Sequence, residues 1–376
     1  GAGTPVLDAG ATDAAATQAA AEALQPPATA APSTAVAARG ETGAEPTGES
    51  APAASVAAAP GWSYYVNAGW THDLLLSGEA VYAATDGGLV RWTMDGQATR
   101  LTPAQGLPML RINTVAAAPD GSFWLGGQFT GVAHLSLDGD AAGDVSIFTP
   151  EDGLSSALID DLLVDADGHV WAGVAYGGLV DYYDGEGWRS GPPVPLRDPA
   201  VARLGDHVNA LARTRDGALW IGADGGLARL APGGDAWAVE AREAGASQAP
   251  VAAIAEDRAG NVLIARGSQL WTAPLERYDG QALELFLEAE EGCFITGMIQ
   301  AADGAYWLAC GEAAIRFDPT SGRRTVYTRS EGLPGETTGP ILEDPQGRLW
   351  VGTTEGIGLF DGRRWITLRP EPDAPP

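Results

Sequence analysis

One short pattern recurs seven times in this chain and constrains its fold more than any other feature. A polar turn ends in Gly, a large apolar residue (usually Trp) follows three positions later, and a short run closes on another Gly. The clearest copies are Asp120-Gly121-Ser122-Phe123-Trp124, Asp167-Gly168-His169-Val170-Trp171, Asp216-Gly217-Ala218-Leu219-Trp220, Asp303-Gly304-Ala305-Tyr306-Trp307 and Gln346-Gly347-Arg348-Leu349-Trp350. Two weaker copies centre on Gly78 and Gly260, where Val81 and Leu263 take the Trp place. Successive turn glycines are 43–49 residues apart. A period in the forties marks a repeat architecture. Stacked repeats form one body, even in a chain of 376 residues whose length alone suggests two or three domains.

Within each copy the apolar period is two, which means strands. In the fourth copy Val208–Ala212, Leu219–Gly222, Leu227–Leu230 and Trp237–Val239 read as four strands. Arg215-Asp216-Gly217, Gly225-Gly226 and Gly233-Gly234-Asp235 are the turns between them. Four antiparallel strands per repeat make a propeller blade. The expected fold is therefore all-β, a seven-bladed β-propeller over residues 61–369. Trp62–Val66 resembles the fourth strands, such as Trp365–Leu368, and would add to the last blade as a latch.

Residues 1–60 differ in kind. They are rich in Ala, Pro, Thr, Ser and Glu and contain no aromatic residue. Such a segment cannot bury enough apolar area to offset its ordering entropy, so a disordered linker is expected there. Residues 370–376 are expected to form a short disordered tail.

The net charge of −27, with all basic charge on Arg, repels nucleic acid and anionic membranes. No apolar run approaches a membrane span. Without a Cys-x-x-Cys or Cys/His cluster, no metal or cofactor is expected. Cys293 and Cys310 flank a hairpin that turns at Asp303-Gly304 and lie within disulfide reach; two independent buried thiols are the alternative.

The segment Gly332-Leu333-Pro334, then Ile341 through Thr353, then Gly356-Ile357-Gly358-Leu359-Phe360-Asp361 resembles the two-component regulator propeller repeat. Gly153-Leu154-Ser155-Ser156 leading to Trp171-Ala172-Gly173 and Gly178-Leu179 is a second match. Gly106-Leu107-Pro108 leading to Trp124-Leu125-Gly126 is a third. The resemblance implies an extracytoplasmic sensor propeller of the kind attached to membrane-bound histidine kinases, although this chain holds no kinase. It also implies a secreted, periplasmic or surface-tethered protein, and a monomer is expected.

The recurrent Trp is read as core, because a residue repeated on a middle strand packs between blades. Trp188, Trp237 and Trp365 are read the same way. Asp165-Ala166-Asp167-Gly168 lacks the remaining calcium ligands and reads as a turn. Function is expected on the variable loops at the channel mouth. The loops after second strands offer Asp86, Gln128, Phe129, Tyr176, Asp224, Glu312 and Glu355. The starts of first strands offer Arg111, Asn113, Asp160, His207 and Asn209. Such a mouth suits a small molecule, glycan or peptide, or a protein partner. His72 and His207 fall in blades one and four, on opposite sides of the ring, and are expected not to cluster. His134 lies on a third strand and His169 on the other face. With no compact catalytic set, a binding function is favoured over a lyase or glycoside hydrolase at the mouth.

Overall fold

The computed structural model describes residues 69–175, 180–190, 207–232, 237–239, 249–268, 271–288 and 293–370. The linker 1–60, the latch at Trp62–Val66, Tyr176, the Gly178-Leu179 pair and residues 371–376 lie outside them.

Seven four-stranded antiparallel sheets follow one another, each in simple meander order. The first four blades are β1 (Thr71–Ser77), β2 (Ala80–Thr85), β3 (Gly88–Thr93), β4 (Ala98–Leu101); β5 (Ile112–Ala117), β6 (Phe123–Gly127), β7 (Val132–Asp138), β8 (Ala141–Phe148); β9 (Ile159–Val164), β10 (Val170–Val174), β11 (Val180–Tyr183), β12 (Trp188–Ser190); β13 (Val208–Arg213), β14 (Leu219–Ala223), β15 (Gly226–Leu230), β16 (Trp237–Val239). The last three are β17 (Val251–Glu256), β18 (Val262–Ser268), β19 (Trp271–Tyr278), β20 (Leu283–Leu287); β21 (Ile295–Gln300), β22 (Tyr306–Cys310), β23 (Ala313–Phe317), β24 (Arg324–Tyr327); β25 (Thr337–Glu343), β26 (Leu349–Thr353), β27 (Gly356–Phe360), β28 (Trp365–Leu368). This is the expected seven-bladed propeller.

The core lies between blades. Seven apolar clusters each join one blade to the next, and the recurrent Trp sits in them. Trp124, Trp171, Trp220, Trp307 and Trp350 are all buried. Three of them meet the fourth-strand Trp of the next blade edge-on: Trp124 with Trp188, Trp171 with Trp237 and Trp307 with Trp365, at 6.1–6.2 Å between centroids. Edge-to-face contact suits two indoles that fill one wedge. The ring closes in the same way: Trp350 of the last blade packs with Val81, Ala83, Val90 and Trp92 of the first.

Blade one corrects the sequence register. Tyr82, not Val81, occupies the Trp place: it pairs with Leu75 as Trp124 pairs with Ala116, and it packs on Phe123 of blade two at 4.7 Å. The turn between β1 and β2 is shorter than its counterparts, so counting from its Gly lands one residue early. Leu263 does hold the place in blade five, paired with Ala255.

The Gly-Leu motifs also acquire a physical reason. Thr102, Thr149 and Thr328 each cap a short 3-10 turn with a reciprocal capping box, and Gly106, Gly153 and Gly332 end those turns in the left-handed region. The following Leu107, Leu154 and Leu333 are buried. The second-strand Gly serves close approach instead. A Cβ at Gly222 would stand 2.5 Å from Val251 Cγ1 of the next blade.

Candidate functional site

The innermost strands carry the site. Each has one edge paired in its blade and one edge facing the channel, and each is interrupted by a bulge at the same place. The bulged residues are His72, Asn113, Asp160, Asn209, Ala252 and Thr296, with a wider interruption at 338–340 in blade seven. A bulge breaks the two-residue alternation and re-aims a side chain. The bulge is common to all seven blades, but ionisable and amide side chains stand on it only in blades one to four.

Those blades enclose a cavity of about 340 Å³ lined by His72, Arg111, Asn113, Gln128, Leu158, Asp160 and His207. His72 and His207 therefore share one cavity. The expectation that opposite blades would keep them apart is wrong, because inner strands converge on a narrow axis.

Two His–carboxylate pairs organise this mouth. Asp86 accepts a 2.8 Å contact from His72 Nε2, and Arg111 Nε lies 3.1 Å from the same oxygen. His207 Nε2 lies 2.7 Å from Asp160 Oδ2, and its Nδ1 lies 3.8 Å from Asp224. Asn209 donates to Asp224 at 3.0 Å. Asn113 Nδ2 donates to the Ile159 carbonyl of the next blade at 2.9 Å. Burial pushes the Asp160 carboxyl above its ordinary range, against the pull of His207. Phe129 is 73% exposed on the loop after β6, with φ +65°, a left-handed conformation unusual for a non-glycine. Trp70, 42% exposed, stands beside His72 with ring centroids 6.0 Å apart.

One residue beyond the bulges lies a second layer. Asp73 accepts from the backbone N–H groups of Leu74 and Val115, and Asp161 from those of Leu162 and Leu211. Inner strands have no ladder partner on the channel side, so each carboxylate satisfies one N–H of its own strand and one of the neighbouring blade. Thr114 Oγ1 bridges the two, 3.2 Å from Asp73 and 3.4 Å from Asp161. Enclosure by the surrounding strands pushes Asp73 up to about 6 and Asp161 up to about 7, the charge of Asp73 adding to the rise of Asp161.

Sequence reasoning missed Asp73, Thr114, Asp161, Trp70 and Leu158. The available signal was polarity breaking the apolar run of inner strands, as in Ile159-Asp160-Asp161-Leu162. Of the expected mouth residues, Asp86, Phe129, Asn209, Asp224, Glu312 and Glu355 are not among those lining this cavity. Glu312 is exposed in blade six. Glu355 is engaged by Arg329 at 2.6 Å and Arg369 at 3.3 Å, and its hydrogen bond to Arg329 holds its carboxyl below the usual range.

Cys293 and Cys310 are joined as a disulfide, with Cα atoms 5.2 Å apart. On the opposite face, ligand atoms of Asp165, Asp167 and His169 lie within 4.8 Å of one another. Asp165 is already occupied there by the backbone N–H groups of Asp167 and His169, the His169 ring and Trp171 Nε1. That arrangement is a turn built around its first carboxylate. His134 stacks on Trp124 at 4.3 Å.

The two component regulator propeller model matches residues 332–355, so the chain carries that repeat. No curated protein matches the sequence significantly. Among solved structures, an extracellular domain described as that of a hybrid two component system from B. thetaiotaomicron superposes with TM-score 0.61 at 15% identity, over 78% of this chain and 38% of that one. A second such domain gives 0.57 and 16%, over 78% and 39%. Virginiamycin B lyase from Staphylococcus aureus gives 0.52 and 14%, over 69% and 83%. The chain thus spans about two fifths of the length of the two extracellular domains. At these identities the likeness is one of fold. No helix among the described residues is long and apolar enough to cross a membrane.

Proposed function

We propose that this chain is a non-catalytic sensor propeller that binds a ligand at the mouth formed by blades one to four, outside the cytoplasm. One observation carries the reading. Polar residues needed only for folding would recur with the repeat, yet His72, Asn113, Asp160 and Asn209 occupy a bulge whose counterpart in blade five is Ala252. The cavity volume lies at the lower end of small-molecule sites and suits a compact ligand or one residue of a glycan or peptide. The regulator propeller repeat and the fold shared with extracellular domains of hybrid two component systems support both the sensor role and the compartment.

The test is a thermal-shift screen of small metabolites, glycans and peptides on the wild type, Asn113→Ala and Gln128→Ala. A ligand at one hundred times its Kd raises stability by about 2.7 kcal/mol. Hits should vanish in both variants. Hits that persist in both would place binding elsewhere and defeat the proposal.

An enzymatic reading draws on a specific observation: two His–carboxylate pairs face one cavity, and such pairs act as general acids and bases. Turnover of a mouth ligand, abolished in His207→Ala, would establish that reading instead.

A further inference from the structure

The residues lining the mouth use only part of their hydrogen-bonding capacity. Asp86 Oδ1 is shared: His72 Nε2 lies 2.8 Å from it and Arg111 Nε 3.1 Å. Asp86 thus holds the guanidinium by its inner nitrogen, and Nη1 and Nη2 have no partner among the described residues. Those two nitrogens form the end of a planar fork that can receive both oxygens of a carboxylate. Asp160 is engaged by His207 through Oδ2, and its Oδ1 has no partner among the described residues. Asn113 donates one N–H to the Ile159 carbonyl, and its Oδ1 has no partner among the described residues. The Gln128 carboxamide makes no hydrogen bond among them either.

The open donors of Arg111 and the open acceptors lie at two ends of one short span. Arg111 immediately precedes β5 and Asn113 stands on its bulge, two residues or about 6.6 Å along the chain. Asn113 in turn touches Ile159, the neighbour of Asp160 on β9. The order across the mouth is guanidinium in blade two, carboxamide, then carboxylate in blade three. The repeat does not demand these groups: in blade five Pro250 holds the place of Arg111, and Ala252 holds the bulge place of Asn113 and Asp160. A ligand that fills the cavity takes water from both ends at once, so each uncovered charge must meet an opposite one. A lone carboxylate would meet Arg111 among Asp86, Asp160 and Asp224. A lone cation would meet Asp160 with Arg111 lining the same cavity. A molecule with both charges and no net charge meets each end with its opposite.

We propose that the mouth takes a free α-amino acid, its carboxylate on the Nη edge of Arg111 and its ammonium on Asp160 Oδ1 and Asn113 Oδ1. This rests on the mouth being the ligand site and names the class of ligand it takes. Asp86 acts as a positioning residue, since it holds the guanidinium without touching the ligand. The short span suits charges on one carbon better than those of a dipeptide, which stand about 3.3 Å further apart. The cavity of about 340 Å³ is small enough for a single residue.

The test is calorimetric titration of the whole chain at neutral pH with the standard L-amino acids, then with the carboxamide and the N-acetyl form of each binder. At least one amino acid should bind. Each capped form should bind about tenfold or more weakly, because each loses one charged hydrogen-bonded contact. Arg111→Gln should bind an amino acid and its carboxamide alike, and Asp160→Asn the free and N-acetyl forms alike; a merely structural loss would weaken all forms together. The comparison of capped with free forms needs no variant and stands even if neither variant folds. Binding of no standard amino acid, equal binding of either capped form to the wild type, or tighter binding of a dipeptide overturns the assignment. An amino acid that still binds both Asn113→Ala and Gln128→Ala would overturn the mouth reading as well. A different small molecule lost in those two variants would overturn the amino acid and leave the mouth reading intact.

Discussion

Replacing Asp161 by Asn should change the pH dependence of stability more than stability itself. A carboxyl whose folded pKa exceeds its unfolded value holds its proton more tightly in the folded state. Its contribution is fully present below the unfolded value of 3.8 and is lost as pH rises through the folded value of about 7. Between pH 4.5 and 8 that loss amounts to about 3 kcal/mol from the linkage relation. The variant lacks this cost but introduces another. Asp161 accepts from Leu162 N at 2.8 Å and Leu211 N at 2.7 Å through different oxygens, and an amide has a single oxygen. One N–H then faces the amide nitrogen, at about 1–3 kcal/mol. The variant should therefore be less stable than wild type at pH 4.5 and equal or more stable at pH 8. Urea unfolding at both pH values, with the difference taken at each, cancels the titration of carboxylates not coupled to Asp161 and leaves that of Asp161 with its neighbour Asp73. A difference that stays constant with pH would refute the account of Asp161 as a proton-holding group.

Three further outcomes follow from packing and pairing. Trp350→Ala at the ring-closing interface should cost about 3–5 kcal/mol by chemical denaturation, whereas Phe129→Ala, 73% exposed, should change stability by under about 0.5 kcal/mol. Arg266 and Glu276 form a buried pair at 2.7 Å in blade five; Glu276→Gln should cost about 3–5 kcal/mol, while Arg266→Met with Glu276→Leu should come close to wild type. Cys293→Ser opens a loop of 17 residues and should lower stability by about 3 kcal/mol in the chain-entropy account, measured against the oxidised wild type; equal stabilities would show that the bridge constrains nothing.

Much of the fold was legible because its causes are local. Asp216-Gly217 and its relatives specify hairpins, and Trp at a constant offset announces a repeated interface. The exception shows the limit: in blade one a shorter turn moved the interface residue from Val81 to Tyr82, and only the strand register reveals this. The mouth was legible in part. Arg111, Asn113, Gln128, Asp160 and His207 were found from their place in the repeat, and all line the cavity. Glu355 shared that pattern but is held by Arg329 and Arg369, partners far from it in sequence.

The chain's own order of residues therefore determines the number of blades, their strand sequence and the burial of the indoles, since turn chemistry and alternation act over a few neighbours. Ring closure decides the rest. It brings His72 and His207 to the lining of one cavity and lets one Thr114 hydroxyl reach carboxylates 41 and 47 residues away. It also places those charges where water is scarce. Proton affinity depends on enclosure and on neighbours in space, and neither exists until the seven sheets meet around an axis.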